Sequence, residues 1–294
     1  MLSRSLQERQ CETNNVDGDA DLLIVKTAVD SARSKTTVLV GGDTDLLILL
    51  LFHANPDTRD LFFIPEPKSN YFRRRIWNIK KMQEQLGREV CDNILFVHAF
   101  LGCDTTSRIH GIGKGKLFKM FETSSELKQN ANTFQSTSTS QKEIATAGEN
   151  TLVLLYNGKP GQRLDDLRYQ QYQEKPATKT TKIESNSLPP TSAAAKFQSY
   201  RVYAQVQQWR GTEVNVEEWG WKANDGQVIP VITDLPPAPD NLLRIVRCNC
   251  ASGCGTMRCS CRKHNIVCSP ACGQCKGSGC TNTSILSQDS DEEE

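Results

Sequence analysis

No apolar run in this chain exceeds seven residues: the longest is Leu46 to Phe52. A bilayer-spanning helix needs about 20, so no membrane partner is expected. The first twenty residues hold no apolar core and scatter Arg4, Glu8, Arg9 and Glu12 along their length. No secretory signal is therefore expected, and a reducing compartment follows, which favours metal over disulfides as the use for cysteine. Asp and Glu are missing altogether from residues 241 to 282, although the formal net charge of the whole chain is +1. Local charge is thus more informative than the total. No repeat period organises the sequence, and Leu2 to Glu12 contains no β-like run. With 294 residues and 37% hydrophobic composition, the chain supports one sizeable domain and one or two small modules, not three full cores.

Helical spacing of Leu22, Val25, Val29 and Ala32 predicts a helix over 19–32, and Thr37 to Gly41 reads as a short buried strand ending at Gly42-Asp43. Helix followed by strand implies an α/β layer. Leu46 to Phe52 is too uniformly apolar to assign by period. Asp60 to Ile64 resembles a strand stopped by Pro65, and Ile76 to Leu86 and Val90 to Leu101 read as helices. Glycines 111, 113 and 115 separate the last of these from a short helix over 117–121. Residues 124–146 are rich in Ser, Thr, Gln and Asn and read as a polar linker. Residues 147–245 form a helical, Trp- and Pro-rich extension, with an N-capped helix over Thr191 to Trp209, and the chain ends in an acidic tail over 283–294. Trp209, Trp219 and Trp221 are expected to pack in a core or linker.

Three acidic clusters occupy the first 104 residues: Asp17-Gly-Asp19-Ala-Asp21, Gly42-Asp43-Thr-Asp45 and Gly102-Cys-Asp104. If Asp43 and Asp45 continue the strand, alternate side chains share one side and point at one ion beyond its C-terminus, where open α/β sheets bind ligands. Asp19 and Asp21, in the first helical turn, lean toward the same crevice. Hard Mg²⁺ or Mn²⁺ ions take such oxygen ligands. Equally, first-turn carboxylates stabilise helix dipoles and Gly-Asp pairs make ordinary turns. His98 is expected to pack rather than to act as a base, and His264 to lie on the surface. Cys11, Cys91 and Cys103 are assigned no role.

Nine of the twelve cysteines fall within 33 residues: Cys248, Cys250, Cys254, Cys259, Cys261, Cys268, Cys272, Cys275 and Cys280. An odd count cannot pair internally as disulfides, and the Cys-x-Cys pairs would force strained bridges. Nine thiolates satisfy three tetrahedral zincs when three of the sulfurs each bridge two metals. With three Zn²⁺ the cluster carries a charge of −3, against +6 from Arg244, Arg247, Arg258, Arg262, Lys263 and Lys276. A net basic module suits a DNA partner, whose phosphates Arg247, Arg258, Arg262 and Lys263 neutralise. A zinc-stapled module that binds only protein is the alternative.

Asp-Ala-Asp-Leu before a helix, Gly-Gly-Asp-Thr-Asp-Leu-Leu after a strand, and Phe-Leu-Gly-Cys-Asp104 followed by Ile109-His-Gly-Ile-Gly-Lys-Gly-Lys116 occur in that order. In that order they resemble the nuclease core of flap-endonuclease and XPG-type PIN-like proteins. The resemblance implies that Asp19, Asp21, Asp43, Asp45 and Asp104 are Mg²⁺ or Mn²⁺ ligands. It also implies that Gly111, Gly113, Lys114 and Lys116 belong to a turn that grips DNA phosphates. The family's core opens with a strand carrying a further Asp; this chain has no β-like run there, so the domain is expected to be incomplete and to cleave DNA poorly or not at all. The cysteine spacing C-x-C-x3-C-x4-C-x-C-x6-C-x3-C-x2-C-x4-C-x-N, ending at Asn282, resembles the CXC domain of tesmin/TSO1-like proteins, which holds three zincs and binds DNA. That family's minor-groove contact uses a tyrosine where this chain has Arg258. The combination also resembles transposon-associated animal proteins.

The expected architecture is α/β: an incomplete PIN-like, Rossmann-like domain over 15–123, a linker over 124–146, the extension over 147–245, and a small CXC zinc-cluster module over 246–282. The expected function is zinc-dependent DNA binding in the nucleus, alternatively the cytoplasm, by a transposon-derived or chromatin-associated protein. The alternatives are a Mg²⁺-dependent structure-specific nuclease targeted by the module, and a protein-interaction scaffold.

Overall fold

A computed structural model describes residues 2–16, 18–66, 75–174, 185–235, 247–250, 253–264, 266–268, 272–277 and 280–282. Asp17, Arg244, the prolines at 236, 237 and 239, and the acidic tail lie outside the described residues. The chain forms two compact units, residues 1–233 and 234–294. No helix among the described residues is long and apolar enough to cross a membrane.

The first unit mixes a small sheet with many helices. After α1 (Leu2–Gln7), α2 (Asp21–Ala32) buries Val25, Ala28 and Ala32 along one face. β1 (Thr37–Gly41) pairs in parallel with β2 (Leu61–Pro65), and α3 (Thr44–His53) makes the crossover between them. β3 (Trp77–Asn78) adds an antiparallel edge, giving the order β1-β2-β3. Side chains alternate across a strand: Leu39, Leu61 and Phe63 are buried against the helices, whereas Val38 and Val40 on the other face stay exposed. Among the described residues β1 pairs with β2 alone, so it is an edge of the sheet.

The Leu46–Phe52 run, ambiguous by period, is the interior of α3, whose Leu46, Leu49, Leu50 and Leu51 are buried. Asn78 caps α4 (Ile79–Leu86), and Gly87 separates it from α5 (Arg88–Leu101), a helix that buries Ile94 to Leu101 without interruption. A helix buried all round must be central. α6 (Lys114–Thr123) follows the glycine turn.

Residues 124–146, expected to be a linker, instead fold into α7 (Ser125–Gln135) and the start of α8 (Gln141–Leu155). Ser124 caps the first, and a Ser140–Glu143 capping box opens the second. Few apolar groups are present, but Leu127, Ala131, Phe134, Ile144 and Ala147 fall at helical spacing and are buried. Residues 15–123 are accordingly not a separate domain; they share one core with residues 124–233.

α9 (Leu164–Glu174) leads to α10 (Ser192–Arg210), capped by Thr191 and closed by Gly211 in the left-handed region. α10 lies against α5, α7 and α8. Gly148 on α8 permits this approach, since a Cβ there would lie 1.8 Å from Ser199 Oγ. Of the polar groups α10 carries inward, Gln207 donates to Phe134 O at 2.9 Å, leaving its Oε1 buried without a partner among the described residues, and Thr105 donates to Gln205. Trp209 is buried, and Trp219 stacks on Tyr203 with centroids 4.1 Å apart, while Trp221 begins the hairpin of β4 (Trp221–Asn224) and β5 (Gln227–Pro230).

In the second unit the core is made of cysteine. Its only described helix is α11 (Ser260–Lys263). Cys248, Cys254, Cys259, Cys261, Cys268 and Cys272 are all buried, with Cys250, Cys275 and Cys280 packed against them.

Candidate functional site

The acidic group of the first unit is assembled at two helix starts. Asp43 is the N-cap of α3: its Oδ1 accepts the amide of Asp45 at 2.9 Å, and its backbone is extended. Asp45 already lies in the first helical turn, so the two carboxylates converge because a strand turns into a helix between them. They are not alternate residues of one extended segment. Asp19 accepts the amide of Asp21 at 3.0 Å at the start of α2. The Asp43 contact is ordinary N-terminal capping, whereas Asp19 makes a local turn ahead of Ala20, the N-cap of α2, which has no side-chain cap. Beyond capping, carboxylate oxygens of Asp21, Asp43 and Asp45 come within 4.8 Å of one another, close enough to share an ion. Asp19 and Asp104 remain outside that group and are exposed.

The crowding has an electrostatic signature. Partial burial, then the neighbouring charges of Asp19, Asp43, Asp45 and Asp104, push the Asp21 carboxyl up to about 6. A cation among these oxygens would relieve that repulsion, and hard divalent ions fit an all-carboxylate set.

Behind Asp45 stands a hydrogen-bonded relay that the sequence did not reveal. His98, 2% exposed, places Nε2 2.6 Å from Asp45 Oδ1, and Lys114 Nζ lies 2.6 Å from His98 Nδ1. With the lysine ammonium donating to Nδ1, the ring is neutral and its Nε2–H donates to the carboxylate. Burial pushes Lys114 below the ordinary lysine range, which Asp45 opposes. His98 is therefore packed, as expected, and also orients Asp45; Trp209 lies beside its ring at 5.7 Å. The relay joins residues 53 and 16 positions apart, a separation at which no local motif could disclose it.

The glycine turn is placed differently from expectation in its lysines. Gly111 occupies the left-handed region, and Gly113 precedes α6 without a side-chain cap. Lys114, however, points inward at His98, and Lys116 donates to Leu155 O. Neither ammonium is held out for a phosphate.

In the cysteine unit, sulfur separations carry the chemistry. Cys248 lies 3.7 Å from Cys254, 3.8 Å from Cys268 and 3.7 Å from Cys275; Cys259 and Cys268 are 3.9 Å apart, and Cys261 and Cys272 3.5 Å. A disulfide bond is about 2.05 Å, so none of these pairs is bonded. Two corners of a tetrahedral zinc with bonds of about 2.3 Å are about 3.8 Å apart, which matches. Three overlapping four-sulfur groups have this compactness: Cys248 with Cys259, Cys261 and Cys268; with Cys250, Cys254 and Cys259; and with Cys254, Cys268 and Cys275. The cysteine-rich unit can hold zinc ions. Burial pushes the Cys254 and Cys268 thiols above their ordinary range, so a cation is needed to keep them as thiolates.

Arg247, Arg258 and Lys263 are exposed on this unit. Arg262 is not equivalent: its Nε donates to Cys254 O at 2.9 Å and its Nη2 to Thr281 O at 3.3 Å, so it ties the module together. Asn282 does likewise, donating to Ile266 O at 2.9 Å and accepting the Cys268 amide on its backbone. His264 is exposed, and Cys11, Cys91 and Cys103, which belong to the first unit, are free.

No protein-family model, no curated protein and no solved structure matches this chain.

Proposed function

We propose that this chain is a zinc-dependent DNA-binding protein of the nucleus, transposon-derived or chromatin-associated, in which the cysteine unit makes the contact. The observation that carries this reading is the set of buried sulfurs at tetrahedral edge spacing in a segment without a single Asp or Glu. Arg247, Arg258 and Lys263 are exposed there to meet phosphates. Nine sulfurs then hold three zincs, and the resemblance to tesmin/TSO1-like CXC domains supports the same count. Contacts of this kind fix position on the duplex and carry little sequence information.

The test is fluorescence anisotropy with a labelled duplex across a salt series, on zinc-loaded and zinc-stripped chain. Three phosphate contacts give a log-log salt slope of about −2.7, at about −0.9 each. Salt-independent affinity, or binding that survives removal of zinc, overturns the reading and leaves a protein-binding scaffold in its place.

A second reading, divalent-ion-dependent cleavage of phosphodiesters by a PIN-like unit, is favoured by the convergence of Asp21, Asp43 and Asp45. Bound ions there would polarise a phosphoryl oxygen and stabilise the leaving group; the chain's part is to hold the carboxylates, with His98 orienting Asp45. Three converging carboxylates are few for two ions, so little cleavage is expected. Incubation of 5′-flap and single-stranded DNA with Mn²⁺ decides it: robust cleavage abolished by both Asp43→Ala and Asp45→Ala promotes the nuclease reading.

A further inference from the structure

Between the 107–110 loop, α8, α9 and α10 lies a cavity of about 280 Å³, distinct from both acidic and cysteine sites. Its walls are mostly apolar, formed by Leu152, Tyr156, Leu188 and Ala195 among others, and three guanidiniums, those of Arg108, Arg168 and Arg201, also line it. No Asp or Glu does.

Arg201 is the central observation. It projects from α10 with 4% exposure, yet all its partners are neutral: Nη1 donates to Val231 O at 2.6 Å and Gly220 O at 3.4 Å, and Nη2 to Gln198 Oε1 at 3.1 Å. Arg168 donates to Pro189 O, again a carbonyl. Among the described residues neither these two nor Arg108 has a carboxylate within ion-pair distance. Carbonyls satisfy hydrogen bonds but do not cancel charge, and a buried charge without a counter-ion is costly. Burial pushes Arg201 below the ordinary arginine range, as expected for a cation without a counter-ion.

We propose that this cavity binds a small organic monoanion, a carboxylate borne on an aromatic or branched aliphatic body. The carboxylate sits against Arg201 and Arg168, where planar guanidinium and planar carboxylate match. The body lies on Leu152, Leu188 and Tyr156. The cavity is at the lower end of small-molecule sites, about 300 to 1,000 Å³, which suits one or two rings and excludes a polymer. The apolar walls disfavour a bare phosphate, which has nothing to place against them. The site lies wholly within the first unit and does not depend on the DNA-binding reading.

The experiment titrates the zinc-loaded, ¹⁵N-labelled full chain with three probes: naphthalene-2-carboxylate, its neutral carboxamide, and inorganic phosphate. The carboxylate is expected to shift the amides of Ile109, His110, Leu188 and Ala195 saturably, with the carboxamide and phosphate each at least about tenfold weaker, as one lost charge-assisted contact implies. Arg168→Gln is expected to weaken the carboxylate about tenfold while leaving the unit folded by tryptophan fluorescence. Should that variant unfold, the comparison of carboxylate with carboxamide on the parent chain decides by itself. Absence of saturable shifts at these amides overturns the proposal. So does a carboxamide of equal affinity, which marks a merely apolar void, or phosphate of equal affinity, which marks a surface cation patch.

Discussion

Replacing Asp21 by Asn removes the carboxyl that the acidic group holds up at about 6, against 3.8 for the free side chain. The sign follows from linkage. A carboxyl whose folded value is raised binds its proton more tightly in the folded state, so its ionisation costs stability. That cost is absent below 3.8, grows as pH rises toward 6, and is constant above. At about 1.36 kcal/mol per pH unit the full shift corresponds to about 3 kcal/mol. The side chain is only partly buried, and solvent screening reduces the figure to about 1 kcal/mol. For a unit of this size that is about 2 to 4 °C in Tm.

About one third of that cost is already present at pH 4.5, so Asp21→Asn is expected to gain about 1 to 3 °C over the parent chain between pH 4.5 and pH 7.5, in buffer free of Mg²⁺ and Mn²⁺ with zinc retained. Comparing the two pH values cancels pH-independent effects of the substitution, such as a change in helix propensity. Tryptophan fluorescence reports the first unit alone, because Trp77, Trp209, Trp219 and Trp221 all lie within it. Added Mn²⁺ should then reverse the order: at ten times its dissociation constant an ion bound to the parent contributes about 1.4 kcal/mol, and the variant gains less. A Tm difference independent of pH, or one that shrinks as pH rises, refutes the electrostatic account of the site.

His98→Leu leaves the Lys114 ammonium and Asp45 without their shared partner; a loss of about 1 to 3 kcal/mol and about tenfold weaker Mn²⁺ binding are expected by thermal melts and calorimetry, and unchanged Mn²⁺ affinity would show that His98 does not position Asp45. Gly148→Ala places a methyl against Ser199 and should cost about 1 to 3 kcal/mol, partly restored by Ser199→Gly in the same chain; a neutral melt for the single variant contradicts the close α8–α10 approach. Cys259→Ser, which alters a sulfur common to two of the four-cysteine groups, should lower zinc content by more than one ion per chain in metal analysis, whereas a loss confined to one ion would show independent sites.

What the sequence determined by itself was local. Cysteine spacing within 33 residues confines the sulfurs to one small volume, because short connections leave the chain no means of separating them. Asp43, Ser140 and Thr191 cap their helices through atoms two or three residues away, and such contacts depend on residue type and φ/ψ alone. The helix over 191–209 and the strand over 37–41 were legible for the same reason: their periodicity is written in consecutive residues.

Only the tertiary structure decided the rest. Residues 124–146 read as a linker because their apolar groups are sparse, but a central α10 gives Leu127, Phe134 and Ile144 a surface to bury against, and burial decides where propensity is weak. The inward turn of Lys114 toward His98, the use of Arg262 as a clamp rather than a contact, and the cavity around Arg201 all join residues far apart in the chain. In the first unit these positions follow from how helices pack around a shared core, and in the second from how the loops fold around the cysteines; packing depends on every element at once.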